Sequence, residues 1–115
     1  MITSKVHGVL DYVTVIVFAL SPSLFSLSET GTTIAYSLAV IHLLMTILTA
    51  FSMGLIKIIP FQIHGYVELI VGLVLAIAPW LVDFLTHTDQ WYFSIMGGVI
   101  LLVWLLTTYK SPLKE

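Results

Sequence analysis

Val6-His7-Gly8-Val9-Leu10-Asp11 and Ile63-His64-Gly65-Tyr66-Val67-Glu68 are one short pattern met twice: an apolar residue, His, Gly, two bulky residues and a carboxylate. A shift of 57 residues superimposes the two and goes on to place Leu20-Ser21-Pro22-Ser23-Leu24 on Ile77-Ala78-Pro79-Trp80-Leu81. Six of the 21 positions from 4 to 24 are identical across that shift, among them His, Gly and Pro, which shared hydrophobicity alone does not align. Each copy heads a long apolar stretch followed by a second one, so the unit reads as a helical hairpin used twice. The repeat also argues against a signal peptide at the first stretch, despite Lys5, the apolar Val13–Leu20 and small residues near Ser21. A cleavable segment has no reason to recur within the chain.

Four stretches, roughly 6–27, 33–56, 61–82 and 91–109, reach the length of about 20 mostly apolar residues that a bilayer crossing needs. The whole composition agrees, with 59% hydrophobic and only 9% charged residues, against about one quarter charged in soluble domains. A net charge of -2 leaves no basic surface for nucleic acid. The lack of cysteine removes disulfides, thiolate nucleophiles and zinc–thiolate sites. The expected fold is all-α, a four-transmembrane-helix bundle in the lipid bilayer. It forms one membrane domain over 1–115, with repeats at 6–56 and 61–109.

Basic residues near the span ends set the expected orientation. Lys5 precedes the first span, Lys57 separates the second from the third, and Lys110 and Lys114 follow the fourth, so every Lys falls on one side. The opposite loops carry Glu29, and Asp83, His87 and Asp89, with no Lys or Arg; the latter three read as a solvated acidic loop. Both termini are expected in the cytoplasm, with the hairpins entering in the same direction about a pseudo-twofold axis along the membrane normal. Trp80, Trp91 and Tyr92 are expected at the outer interface and Tyr109 at the inner one. Gly72, Ala76, Gly97 and Gly98 mark places where helices approach closely.

An apolar helix ending in a Ser/Ala-Pro-Trp step, present here as Ser21-Pro22-Ser23 and Ala78-Pro79-Trp80, resembles the SPW-repeat family of small bacterial membrane proteins. The first copy lacks the Trp and the second the Ser. The resemblance covers both hairpins and implies a four-helix inner-membrane protein with two repeats; it brings no activity or catalytic residues with it. Physically, Pro near a helix end removes a backbone donor and stops or kinks the helix. A small multidrug transporter has a similar length and span count, but carries one membrane-embedded Glu and no duplicated His-Gly.

Ionisable groups within spans are costly and mark functional candidates, here His7, Asp11, His42, His64 and Glu68. Residues four apart share a helix face, so His7 pairs with Asp11 and His64 with Glu68. The dyad brings these pairs to one depth near the cytoplasmic face, where two imidazoles and two carboxylates suit a divalent ion such as zinc, iron or manganese. Alternatively His7 and His64 clamp the iron of haem b, with Gly8 and Gly65 leaving room for the macrocycle and Lys5 or Lys57 meeting its propionates. A third reading is proton or ion handling. His42, whose repeat counterpart is Val99, is expected near mid-membrane, with Thr46, Thr49 and Met53 leading from it toward Asp11. That places it roughly 15 Å from His7 along the normal, too far to share a coordination sphere.

Against these stands a structural alternative. Asp11 and Glu68 lie near helix N-termini, where the macrodipole favours negative charge. Each then hydrogen-bonds the His one turn earlier and clasps the bundle. No GxSxG or HExxH motif occurs, and Ser21, Ser23, Ser26 and Ser28 have no nearby histidine base in the first loop, so hydrolase chemistry is unsupported and the reading is non-enzymatic. Four short spans enclose little volume, which makes a homo-oligomer or another membrane protein the expected partner.

Overall fold

Three hydroxyl side chains open three of the four helices. Thr3 accepts from the Val6 N–H ahead of α1 (Ser4–Leu24), Ser28 from the Gly31 N–H ahead of α2 (Glu29–Leu48), and Thr86 from the Asp89 N–H ahead of α4 (His87–Leu106). The remaining helix, α3 (Phe61–Ile77), starts behind Pro60, whose φ of -57° already suits a helix, and ends in a 3-10 turn over Ala78–Trp80. This computed structural model describes residues 1–109; Lys110 and Lys114, expected on the basic side, lie outside the described residues.

All four helices are long and apolar enough to cross a membrane. The 21 residues of α1 give ~31 Å, matching a hydrocarbon core of about 30 Å. Only 28% to 33% of each span is buried in the protein. The outward faces carry Ile16, Leu20, Ile41, Ile70, Ile95 and Leu102, while the fully enclosed side chains include Ser4, His7, Thr46, Thr49, His64 and Asp89. Apolar outside and polar inside is the arrangement of a membrane protein, whose solvent is lipid.

α1 packs along α2, and α3 along α4. Phe18, Ala35, Ala39, Leu75, Phe93 and Ile100 form the apolar core. Gly97 sits at the α3–α4 crossing: a Cβ there would come within 2.6 Å of the Ala76 nitrogen and 2.7 Å of the Gly72 oxygen. Gly98, by contrast, faces open space and makes no such approach.

Several span limits differ from expectation. The second stretch, expected to run to residue 56, stops as a helix at Leu48; Thr49–Ala50 form a short strand β1 that pairs in parallel with β2, Ile59–Pro60. Hydropathy does not distinguish membrane helix from the apolar but irregular loop between them. Pro22 is accommodated within the last turn of α1, which ends two residues later. Trp80 fastens α3 to α4: its Nε1–H donates to Ser94 Oγ at 2.5 Å, and Ser94 donates to the Ala76 carbonyl at 2.8 Å.

At the end holding Ser4, Leu48, Phe61 and Leu106, here the proximal end, one pairing occurs twice. Thr49 pairs with Ile59, and Thr107 pairs with Ile2. The segment leading into each odd-numbered helix thus lies beside the segment leaving an even-numbered helix of the other hairpin.

At the distal end the expected solvated acidic loop is corrected at Asp89, which is fully buried. Its carboxylate accepts from the Ser28 N–H at 3.0 Å, the Ser28 hydroxyl and the Thr86 N–H at 3.1 Å. One side chain therefore serves the starts of both α2 and α4. Thr86 and Asp89 form a capping box, a short-range motif that the reading of a solvated loop passed over, whereas the contact with Ser28 spans 61 positions.

Candidate intramembrane polar site

His7 and Asp11 lie one turn apart in α1, His64 and Glu68 one turn apart in α3, and the bundle brings both pairs to one place. The two imidazole rings meet edge to face, centroids 5.4 Å apart. His7 Nε2 lies 2.9 Å from Glu68 Oε2 and 3.3 Å from Asp11 Oδ1. His64 Nε2 lies 2.9 Å from Glu68 Oε1 and 3.0 Å from Asp11 Oδ2. Ligand atoms from all four residues fall within 4.8 Å of one another, and all four residues are buried.

His42 joins them, which corrects its expected isolation at mid-membrane. Its Nε2 is 3.3 Å from Asp11 Oδ1 and 3.8 Å from Glu68 Oε1. The error came from the helix limit. With α2 ending at Leu48, His42 is six residues from the proximal end and Asp11 seven from Ser4, both about 10 Å deep at helical rise. The expected stripe below His42 also dissolves: Thr46 donates to the His42 carbonyl of its own helix, Thr49 turns to His64, and Met53 lies beyond the helix on Gly8.

Two threonines hold the far side of the rings. His7 Nδ1 is 2.8 Å from Thr107 Oγ1, and His64 Nδ1 is 2.7 Å from Thr49 Oγ1. Both hydroxyls already donate their single proton to a carbonyl one turn back, Thr107 to Val103 at 2.5 Å and Thr49 to Met45 at 2.6 Å. They have only lone pairs left to offer, so each Nδ1 is the donor. A ring protonated at Nδ1 then presents Nε2 to the carboxylates in one of two states: as a second N–H, making an imidazolium, or as a lone pair, which is met by a proton on a carboxyl oxygen or by a metal cation between it and the oxygens. Thr107 escaped the sequence reading entirely; its signal was a threonine just past α4, answering Thr49 just past α2.

Aromatic rings close the proximal side. Phe51 and Phe61 are enclosed. Phe61 stands 5.5 Å from the His7 ring and 5.9 Å from that of His64, and Tyr109 packs on Phe61 at 4.7 Å. Burial, followed by the Glu68 and Asp11 carboxylates, pushes the Tyr109 phenol above its usual range, so it stays a neutral hydroxyl. Tyr109 is thus a wall of the site.

The haem reading fails on space. Gly8 and Gly65 leave no gap: a Cβ on Gly8 would meet the Met53 side chain at 2.5 Å, and one on Gly65 the Tyr109 ring at 2.7 Å. Lys5 and Lys57 are exposed. On the distal side of the cluster, a cavity of about 30 Å³ is lined in part by Phe18, His42, Met45 and Glu68, room for about one water. A larger cavity of about 500 Å³ lies at the distal end against Val17, Phe25, Trp91, Tyr92 and Met96. It is remote from the cluster.

Comparison with known proteins places nothing beside this chain: no family model matches it, and neither curated proteins nor solved structures give a match.

Proposed function

We propose that this chain is a bacterial inner-membrane protein whose working part is a cation site within the bilayer, held between two copies of a helical hairpin. One observation carries the reading: Asp11 and Glu68 are only 3% exposed within membrane-spanning helices, and no Lys or Arg contacts them among the described residues. Two buried carboxylates in a low-dielectric medium demand about two units of positive charge close by. An ion bound at the converging Nε2 and carboxylate atoms supplies it.

The site faces the cytoplasm in this reading. Lys5 and Lys57, both exposed, mark the proximal end, whereas Glu29, Asp83 and His87 mark the distal end. Kinship with the SPW-repeat proteins belongs to the same proposal, supported by the Ser21-Pro22-Ser23 and Ala78-Pro79-Trp80 steps. A second reading, a clasp in which imidazolium rings neutralise the carboxylates, draws on the alignment of His64 Nε2 with Glu68 Oε1.

Thermal unfolding of the detergent-purified protein in chlorides of zinc, manganese, magnesium, calcium and sodium, with choline chloride at matched ionic strength, tests the proposal. A ligand that binds only the folded state raises its melting temperature. At least one metal cation is expected to do so in the wild type and none in D11N/E68Q. A wild type indifferent to every cation overturns the reading in favour of the clasp.

A further inference from the structure

We infer that the cation is a divalent transition metal, held by His7 Nε2, His64 Nε2 and one oxygen each from Asp11 and Glu68, with Thr49 and Thr107 as positioning residues; this rests on the cation reading above. The argument begins with the rings. Because both threonine hydroxyls are spent on helix carbonyls, both Nδ1 atoms carry protons, and Nε2 is the atom each ring has left to offer an ion. Metal-bound histidines are held in this way, the outer ring nitrogen donating to an oxygen that fixes tautomer and orientation.

A second, independent observation lies inside the cluster. His7 is fully buried, yet its Nε2 has no aligned hydrogen-bond partner, although carboxylate oxygens lie 2.9 and 3.3 Å away; Asp11 Oδ2 is likewise buried without one. An imidazolium would point its N–H at one of those oxygens. A lone pair directed between them is the geometry of a ligand.

Spacing and charge agree. Zinc bonds to nitrogen and oxygen of about 2.0–2.2 Å put the corners of a tetrahedron about 3.3 Å apart. His7 and His64 Nε2 each lie 2.9 to 3.3 Å from one oxygen of each carboxylate, meeting opposite oxygens, and one ligand atom from each residue falls within 4.8 Å of the others, so rotation of the carboxylates closes the set. A divalent ion with two carboxylates and two neutral imidazoles sums to zero, the one total that a site in hydrocarbon tolerates well. Two imidazoles among the donors favour zinc, iron or cobalt over magnesium and calcium, which take oxygen. His42 stays outside the ligand set. Its Nε2–H donates to Asp11 Oδ1 at 3.3 Å and turns that carboxylate.

The test loads purified protein with zinc chloride or cobalt chloride, removes free metal by gel filtration, and measures bound metal and the cobalt visible spectrum. Wild type is expected to retain one zinc per chain and to give intense four-coordinate cobalt bands. H7Q and H64Q should each lose the retained metal. T49V/T107V keeps all four ligands and is expected to bind zinc about 10- to 100-fold more weakly. That variant and the wild-type cobalt spectrum decide the matter if the histidine variants do not fold. Retention of zinc by H7Q and H64Q at the wild-type level, or an oxygen-only six-coordinate cobalt spectrum, overturns the assignment. Stabilisation by sodium, magnesium or calcium without zinc or cobalt retention overturns this inference but leaves the cation reading standing. If no cation binds, both fall.

Discussion

His7 stands closer to the other hairpin than to its own helix neighbour: its Nε2 is 2.9 Å from Glu68 and 3.3 Å from Asp11. His64 reaches Asp11 at 3.0 Å. The site is therefore shared, and losing either ring should undo it. H7Q and H64Q are each expected to remove cation-dependent stabilisation in full, and H7Q/H64Q to remove no more than either alone, because a shared site is lost once. Melting curves with and without metal for the three variants check this. Additive partial losses would contradict a single site.

Thr107→Val should leave the buried Nδ1–H of His7 without an acceptor, and Thr49→Val should do the same to His64. Each is expected to lower stability by about 1–3 kcal/mol, measured by denaturant unfolding in detergent. Equal stability of Thr107→Val and wild type would show that the hydroxyl does not hold the ring.

Asp89→Ala removes the acceptor for two Ser28 groups and the Thr86 N–H. Loss of a cap costs about 1 kcal/mol, and the orphaned groups add to it, so a total of about 2–3 kcal/mol is expected. Because the staple lies at the distal end, metal stoichiometry should stay unchanged in the fraction that remains folded. Lost stoichiometry there would link the two ends in a way this geometry does not.

Gly97 and Gly98 are adjacent and should behave oppositely. Gly97→Val drives side-chain atoms into the Ala76 and Gly72 backbone and is expected to cost about 1–3 kcal/mol or more. Gly98→Ala meets open space and should fall within about 0.5 kcal/mol of wild type. The same unfolding assay separates them, and a neutral Gly97→Val would mean that α3 and α4 do not cross there.

Orientation is read by reporters placed in the loops. A periplasm-active reporter inserted next to Lys57 should be silent, and one next to Phe84 active. The reverse result would turn the site toward the other side of the membrane.

The histidine–carboxylate pairs were legible because helical spacing and a repeat are both local statistics: His7 with Asp11 and His64 with Glu68 needed only i to i+4, and their meeting needed only the 57-residue offset. What was not legible depended on where a helix stops. Ile47-Leu48 and Leu55-Ile56 are equally apolar, yet the helix ends between them, and that one limit moved His42 into the cluster. The space beside Gly8 and Gly65 was invisible for a related reason. A glycine announces that something comes close, without saying whether it is a cofactor or, as here, Met53 and Tyr109.

Since Ile2 lies beside Thr107 and Ile59 beside Thr49, neither hairpin completes its own histidine. During synthesis α1 enters the bilayer with His7 and Asp11 already in place, but the hydroxyl that orients His7 is not made until the ribosome has passed residue 107. Until residue 64 is made, Asp11 has only His7 and His42 of its own half beside it, and until residue 107 the His7 ring has no hydroxyl behind it. Assembly therefore has an order imposed by connectivity: insert twice, lock once. A chain stalled after α2 lacks His64, Glu68 and the Thr107 that orients His7, so its share of the site stays open.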